Sequence, residues 1–141
     1  CQIISIQVDI SDATSLKNGI HSIGSQFPST PIKGIFHGAA VLSDSLLIQM
    51  SDELLEKVLL PKVKGTWNLH ICTTHLPLDY FVMHSSIVSV LGNAGQANYA
   101  AGNAFMDSVA HYRNSLGLCG QSINWGPMAV GMAQNNAAVA D

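Results

Sequence analysis

Short apolar runs alternate along the chain with longer stretches in which apolar residues recur at helical spacing. Four runs rich in β-branched and aromatic residues predict strands, and they cover residues 3–8, 32–37, 80–84 and 121–125. The run at 80–84 is apolar enough to be buried on both faces, which is typical of a strand in a parallel sheet.

The segments between these runs show helical periodicity. It predicts a helix over residues 12–23, a short and then a longer helix over 51–71 with an interruption at Pro61, and a small-residue helix over 97–112. Strands that alternate with helices of this length indicate an α/β fold, a Rossmann-like doubly wound parallel sheet. Ligands bind such sheets beyond the carboxyl ends of the strands, so the candidate chemistry is expected there.

Composition narrows the class of protein without identifying it. The chain has 141 residues, the length of one domain, and a formal net charge of −3. Lysine and arginine form no cluster, so nothing indicates binding to nucleic acid or to an anionic membrane. No run of about 18 apolar residues is present to span a bilayer, and the protein is expected to be cytoplasmic.

Two further features of composition bear on partners and metals. Three cysteines stand far apart, at Cys1, Cys72 and Cys119, which favours neither a disulfide framework nor a thiolate zinc site; no metal is predicted. Only 11% of the residues are charged, against about 25% in a typical soluble domain. We therefore expect another segment to cover part of this surface.

Four polar residues have spacings that can form one site. Tyr99 and Asn103 lie four residues apart in a predicted helix and share a face of it. Ser86 follows the strand before that helix, and Lys62 supplies a cation on the helix before that strand. The topology predicts that all four approach the same crevice.

These residues lie in segments that resemble the ketoreductase domains of modular polyketide and fatty acid synthases, a branch of the short-chain dehydrogenase/reductase family. The segments are GIFHGAAVLSD (34–44), PKVKGTWNLH (61–70), FVMHSS (81–86), GQANYAAGNAF (95–105) and NWGP (124–127). Most relatives in the wider family carry lysine four residues after the tyrosine, whereas this chain has Asn103 there and its lysine at Lys62. That exchange is typical of the synthase branch.

The resemblance implies a reductive mechanism. Tyr99 would be the general acid that protonates the β-keto oxygen while NADPH delivers hydride to the carbonyl carbon, and Ser86 would orient that oxygen. Lys62 would support the proton transfer and contact the nicotinamide ribose, and Asn103 would complete a proton relay. The substrate implied is a β-ketoacyl thioester on an acyl carrier protein.

The resemblance also implies a cofactor path along the strand ends. Asp9 and Ile10 would lie at the adenine ring, and Gly126 to Met128 near the nicotinamide. The full set of implied cofactor-binding residues is Asp9, Ile10, His37, Gly38, Ala39, Ala40, Lys62, Ser85, Tyr99, Pro127 and Met128. No G-x-G-x-x-G turn occurs in the printed sequence.

The first residues resemble the third strand of the family pattern. Residues 1–141 are therefore expected to be the C-terminal portion of a single ketoreductase domain, truncated before the first strands and the glycine-rich loop. The partners expected are neighbouring synthase domains or the missing N-terminal half of the domain.

Two positions bear on stereochemistry. Asp44 stands in a Leu-x-Asp motif like that of ketoreductases that give the D-configured hydroxyl, and Leu91 occupies the position where the opposite class tends to carry tryptophan. These residues predict a D product, although Ser43 replaces the commoner acidic residue.

Two other functions fit the same residues. One is a catalytically incomplete fragment with a structural or interaction role; the other is a stand-alone short-chain reductase acting on a free small molecule. Reductase assays with and without the missing N-terminal segment distinguish the incomplete fragment from a synthase ketoreductase. The flanking sequence distinguishes the stand-alone reductase, because synthase domains adjoin one another in one chain.

Overall fold

The computed structural model describes residues 2–127, and they form a three-stranded parallel sheet with helices packed against it. The strands are β1 (Gly34–His37), β2 (Tyr80–Ser86) and β3 (Gln121–Trp125), in the spatial order β1-β2-β3. β2 is central and mostly buried, as its apolar sequence predicts. The α/β class and the parallel sheet predicted from the sequence are therefore confirmed.

Five α-helices connect or follow the strands. Their bounds are α1 (Ala13–Gln26), α2 (Asp52–Leu59), α3 (Thr66–Thr73), α4 (Val88–Leu91) and α5 (Ala97–Ser115). The side chain of Asp12 caps α1 by accepting from the backbone N–H groups of Thr14 and Ser15. The single-turn helix α4 and a 3₁₀ turn at Leu47–Gln49 were not predicted, because neither is long enough to show a period.

The interruption expected at Pro61 takes a different form. The chain stays helical from α2 to α3, and the joining segment Leu60–Gly65 is a turn of π-helix. Proline has no backbone N–H, so an α-helical hydrogen bond is lost at this point. The wider π-helical turn absorbs that loss, and such turns are frequent at functional sites.

The strand predicted at residues 3–8 is wrong. This segment forms no ladder with any described strand, and β1 pairs only with β2. Val8 nonetheless packs against the core, and its Cγ2 atom lies 2.7 Å from the position a Cβ on Gly19 of α1 would take. Val8 is thus packed against α1, whereas Ile3 is 88% and Ile6 40% exposed. A strand also requires a hydrogen-bonding neighbour, which this segment does not have among the described residues.

The hydrophobic core lies between the sheet and helices α1, α3 and α5. Its buried members are Leu16, Leu69, Cys72, Phe81, Met83, Met106, Val109 and Ala110. α5 packs directly on β2 and β3, so its inner face meets the sheet where these strands end. Within residues 2–127, no helix combines the length and apolar character that a membrane crossing requires.

Candidate functional site

Lys62 is a buried cation at the centre of the candidate site. Only 1% of its surface is exposed, and it lies in the π-helical turn. Its ammonium donates to Oδ1 of Asn103 at 2.9 Å and lies 3.5 Å from the carbonyl oxygen of His84. The same ammonium stands 5.1 Å from the centre of the Tyr99 ring. The structure thus brings together three of the four predicted catalytic residues.

A glycine on α5 makes room for this lysine. A Cβ at Gly102 would stand 3.0 Å from Cβ of Lys62 and 3.1 Å from its Cδ, closer than ordinary van der Waals contact. Burial lowers the pKa of Lys62 to about 8, since the charged ammonium loses hydration, while the negative charge of Asp107 acts in the opposite direction. The lysine is therefore close to its titration point near neutral pH.

α5 holds Tyr99 and Asn103 one turn apart. Asn103 is fully buried, and its Nδ2 donates to the backbone oxygen of Tyr99 at 2.8 Å. Asn98 fixes the start of the helix: its Oδ1 accepts from the backbone N–H of Tyr99, and its Nδ2 donates to the carbonyl oxygens of Ser43 and Leu54. Sequence reasoning missed Asn98, because a buried amide does not stand out in a polar helix start.

The predicted Ser86 lies at the carboxyl end of β2 and is nearly buried. Its Oγ accepts from the backbone N–H of Val88 at 3.3 Å. Its neighbour Ser85 faces α5, where its Oγ donates to the backbone oxygen of Asn103 at 3.3 Å. The serine pair therefore joins the end of β2 to the helix that carries Tyr99.

Asp107 and Asn124 extend this network and were also missed by sequence reasoning. Nδ2 of Asn124 lies 3.0 Å from Oδ2 of Asp107 and 3.2 Å from the backbone oxygen of Ser86. Burial works to raise the pKa of Asp107, but hydrogen bonds from Ser122, Ser89, Asn124 and Ser85 outweigh it, and the pKa is lowered. Asp107 lies four residues after Asn103 and therefore on the same face of the predicted helix. That spacing is the sequence signal that could have identified it.

His37 ends β1 beside the lysine. It is 3% exposed, and its Nε2 is the one buried side-chain nitrogen or oxygen without a hydrogen-bond partner among the described residues. Burial, then the nearby charge of Lys62, lowers the pKa of His37 to about 4. A neutral, unpaired imidazole nitrogen beside the site can bond a polar group of a bound molecule.

The remaining predicted cofactor residues lie mostly in loops. The Asp9 carboxylate accepts from the N–H and hydroxyl of Ser11, bonds that lower its pKa, and Ile10 packs over Gly65 of the π-helical turn. Residues 38–40 follow β1, and Pro127 is exposed after β3. Met128 lies outside the described residues.

The two predicted stereochemical positions differ in their surroundings. Oδ2 of Asp44 accepts from Nε2 of the buried Gln96 at 3.0 Å, and Gln96 stands three residues before Tyr99. The backbone N–H of Ser45 donates to the carbonyl of Gly95 at 2.8 Å. Leu91 is 77% exposed at the end of α4.

Within the described residues, no group of three or more histidine, cysteine or acidic side chains is placed to hold a metal ion.

Comparison with known proteins places this fold and site in one family. The family model described as "KR domain" matches residues 1–130. The chain is 43% identical over 125 residues to the highly reducing polyketide synthase Preu1 of Preussia isomera, covering 85% of this chain and 5% of that protein. It is 46% identical over 125 residues to the polyketide synthase PksN of Bacillus subtilis, covering 84% of this chain and 2% of that protein.

A solved structure gives the same answer. A ketoreductase domain from the bacillaene assembly line superposes with a TM-score of 0.88 at 36% identity, covering 96% of this chain and 34% of that one. The chain thus spans a small part of the synthases it matches and about a third of this ketoreductase chain. The sequence, the parallel sheet and the family model agree, and the chain belongs to the ketoreductase domain family of polyketide synthases.

Proposed function

We propose that the polypeptide carrying this chain reduces a β-ketoacyl thioester to the β-hydroxyacyl thioester, as the ketoreductase step of a polyketide synthase. The observation that supports it most is the buried Lys62, bonded to Asn103 and held over the ring of Tyr99. Burial of a lysine costs free energy because its charge loses hydration, so a buried lysine is more often found where its charge has a function. A place beside a half-buried phenol at the end of a parallel sheet gives that charge a use.

The residues of the site divide the work of carbonyl reduction. Tyr99 donates a proton to the oxygen of the substrate carbonyl, and Ser86 donates a hydrogen bond to the same oxygen. The positive charge of Lys62 stabilises the phenolate that Tyr99 leaves behind. Asn103 fixes the ammonium through its Oδ1 and fixes α5 through its Nδ2.

The residues present fit the nicotinamide end of NADPH. Lys62 has N–H capacity beyond its bond to Asn103, and the buried Nε2 of His37 lacks a partner among the described residues. We assign Lys62, Tyr99, Ser85 and Pro127 to that end, His37 and residues 38–40 to the middle of the cofactor, and Asp9 and Ile10 to the adenine end. When bound, NADPH supplies the hydride.

We assign residues 1–141 to the C-terminal portion of one ketoreductase domain. The pyrophosphate of the cofactor needs a glycine-rich turn at a helix N-terminus, and these residues contain no such motif. That part of the site would come from outside this sequence. The acyl carrier protein and the neighbouring synthase domains are the partners we propose, consistent with relatives that are far longer than this chain.

We propose a D-configured product because Asp44 stands in a Leu-x-Asp motif like that of D-type ketoreductases and Leu91 occupies the position of the tryptophan of the other class. The bond from Gln96, which is close in the chain to Tyr99, holds the Asp44 carboxylate in the loop after β1. In the full-length polypeptide, chiral chromatography of the wild-type product is expected to give the D hydroxyl, and Asp44→Ala is expected to lower the D excess. An L product from the wild type contradicts this assignment.

A matched pair of tyrosine variants tests the reductive role. In the full-length polypeptide, Tyr99→Phe removes the proton donor and is expected to lower kcat by about 100-fold or more, measured as thioester-dependent loss of NADPH absorbance. Tyr112→Phe, at an exposed position on the same helix, is expected to keep wild-type kcat. Equal activity of the two variants rules out Tyr99 as the acid.

A further inference from the structure

The carboxylate of Asp107 ties three elements together at the end of the sheet. Its Oδ2 accepts from Oγ of Ser89 at 2.7 Å and from Nδ2 of Asn124 at 3.0 Å, and its Oδ1 accepts from Oγ of Ser122. Ser89 belongs to α4, and the other two donors belong to β3. One side chain on α5 is therefore bonded to a short helix and to a strand.

This cluster continues to the end of β2, which carries the serine pair. Nδ2 of Asn124 is 3.2 Å from the backbone oxygen of Ser86 and 3.4 Å from Oγ of Ser85. Ser85 in turn donates to the backbone oxygen of Asn103. Asp107 is thus linked by polar contacts both to Ser86 and to Asn103, the residue of α5 that bonds Lys62.

Asp107 also lies close enough to act on Lys62 through its charge, because it stands one turn of α5 after Asn103, whose Oδ1 bonds the lysine ammonium. The titratable side chains that contact the lysine or act on its charge are His37 on β1 and Tyr99 and Asp107 on α5, while His84 on β2 faces it with a backbone carbonyl. Of these, only Asp107 carries a negative charge at neutral pH. Its field favours the charged ammonium and offsets part of the effect of burial, so the pKa of Lys62 stays at about 8 rather than falling further.

We propose that Asp107 is a positioning residue of the reductive site, which anchors the end of β2 that carries Ser86 and supplies the counter-charge for Lys62. This inference rests on the proposed reductase function. It assigns a role to a residue that need not touch the substrate or the cofactor. The carboxylate acts through Asn124 and Ser89 on one side and through its charge on the other.

The substitution Asp107→Asn separates charge from shape. Asparagine has nearly the same size, and the hydroxyls of Ser89 and Ser122 can reorient to bond it. In the full-length polypeptide we expect kcat to fall by roughly 10-fold with KM nearly unchanged, because the transition state depends on Lys62 and Ser86 more than substrate binding does. The alkaline limb of the kcat profile is expected to move to lower pH by on the order of half a unit, since the ammonium loses its counter-charge.

Three further variants serve as controls. Asp79→Asn removes a negative charge from an exposed ion pair with Lys33, and it is expected to leave kcat and the alkaline limb unchanged. Asp107→Glu and Ser122→Ala keep the charge, so the limb is expected to stay in place even where kcat falls. An unmoved limb in Asp107→Asn, or an equal shift in Asp79→Asn, overturns the proposed counter-charge; wild-type kcat in both Asp107→Asn and Ser122→Ala overturns the anchoring role.

A second readout does not depend on activity. Acetic anhydride labels only neutral amines, and burial slows the labelling of Lys62 at every pH. The midpoint of its pH dependence, rather than the extent of labelling, therefore reports its titration in peptide mass spectrometry, with the exposed Lys64 as the internal reference. We expect Asp107→Asn to shift the labelling of Lys62 to lower pH and to leave Lys64 unchanged. If the wild type lacks reductase activity, the proposed function fails, and this labelling still decides whether Asp107 is the counter-charge.

Discussion

At the scale of single residues, the site depends on the contacts that hold the charged side chain of Lys62 in a buried position. Lys62 is 1% exposed, and its ammonium has one short hydrogen bond, to Asn103. Its aliphatic stem needs the space that Gly102 leaves free. Lysine side chains commonly bury the stem and leave the head in water, so a buried head marks a place where the charge has a function.

The space at Gly102 gives a test with a matched control. Gly102→Ala brings a methyl group to 3.0 Å from Cβ of Lys62, so the lysine must shift, and we expect kcat to fall about 10-fold. Gly24→Ala also replaces a helical glycine, but nothing lies within 4 Å of the added methyl group. It is expected to keep wild-type kcat and to stabilise α1 by about 0.5–1 kcal/mol, measured by hydrogen exchange.

If Gly102→Ala retains full activity, the packing of the Lys62 stem is not what positions the ammonium. If Gly24→Ala also loses activity, the loss does not report on the site.

At the scale of elements, the sequence predicts most of the fold because its signals are local. The strand at 121–125 and the helix beginning at residue 97 are found as predicted, since each has a clear period over its length. The strand at 3–8 failed because pairing is not a local property. The π-helical turn was not predicted, for a related reason. Pro61 indicates an interruption of the helix, but whether the helix ends or widens depends on what packs around it.

The candidate site divides in the same way. Lys62, Ser86, Tyr99 and Asn103 were found because a family resemblance marks their positions. Asn98, Asp107 and Asn124 were not found, because their roles depend on partners 15 or more positions away in the sequence, which only the folded chain brings close.

The end of α5 carries a second buried cation, which serves stability. Nε of Arg113 donates to the carbonyl of Cys119 at 2.7 Å, one terminal nitrogen lies 3.1 Å from Nδ1 of His70, and the guanidinium stacks 3.8 Å from the centre of the Phe81 ring. These contacts join α5 to α3, to β2 and to the loop before β3. This cluster is separate from the site around Lys62.

Removal of this cation is expected to loosen α5 and β3. Arg113→Met leaves the carbonyl of Cys119 without its donor, at a cost of roughly 1–3 kcal/mol. Hydrogen exchange of the peptides over 105–125 is expected to become faster, while the exposed His111→Ala on the same helix changes little. Unchanged exchange in Arg113→Met contradicts the role given to these contacts.

At the scale of the whole molecule, both edges of the three-stranded sheet are unpaired within residues 2–127, because β1 and β3 each pair only with β2. Phe36 and Tyr80 are 66% and 59% exposed near the β1 edge. Open edges with apolar side chains favour pairing with another strand. The β1 edge, the low share of charged residues and the short match to longer relatives support the proposal that this chain is the C-terminal portion of one ketoreductase domain.

The central claim is that this site completes the transfer of a hydride to the β-carbon of an acyl thioester. The most direct measurement uses the full-length polypeptide, NADPH carrying deuterium at both hydrogens of C4 of the nicotinamide, and a β-ketoacyl thioester on the carrier protein, with mass spectrometry of the product. The account predicts a β-hydroxyacyl product that carries the deuterium on its β-carbon, formed by the wild type and not by Tyr99→Phe. A product without that deuterium, or the same labelled product from Tyr99→Phe at the wild-type rate, would contradict it.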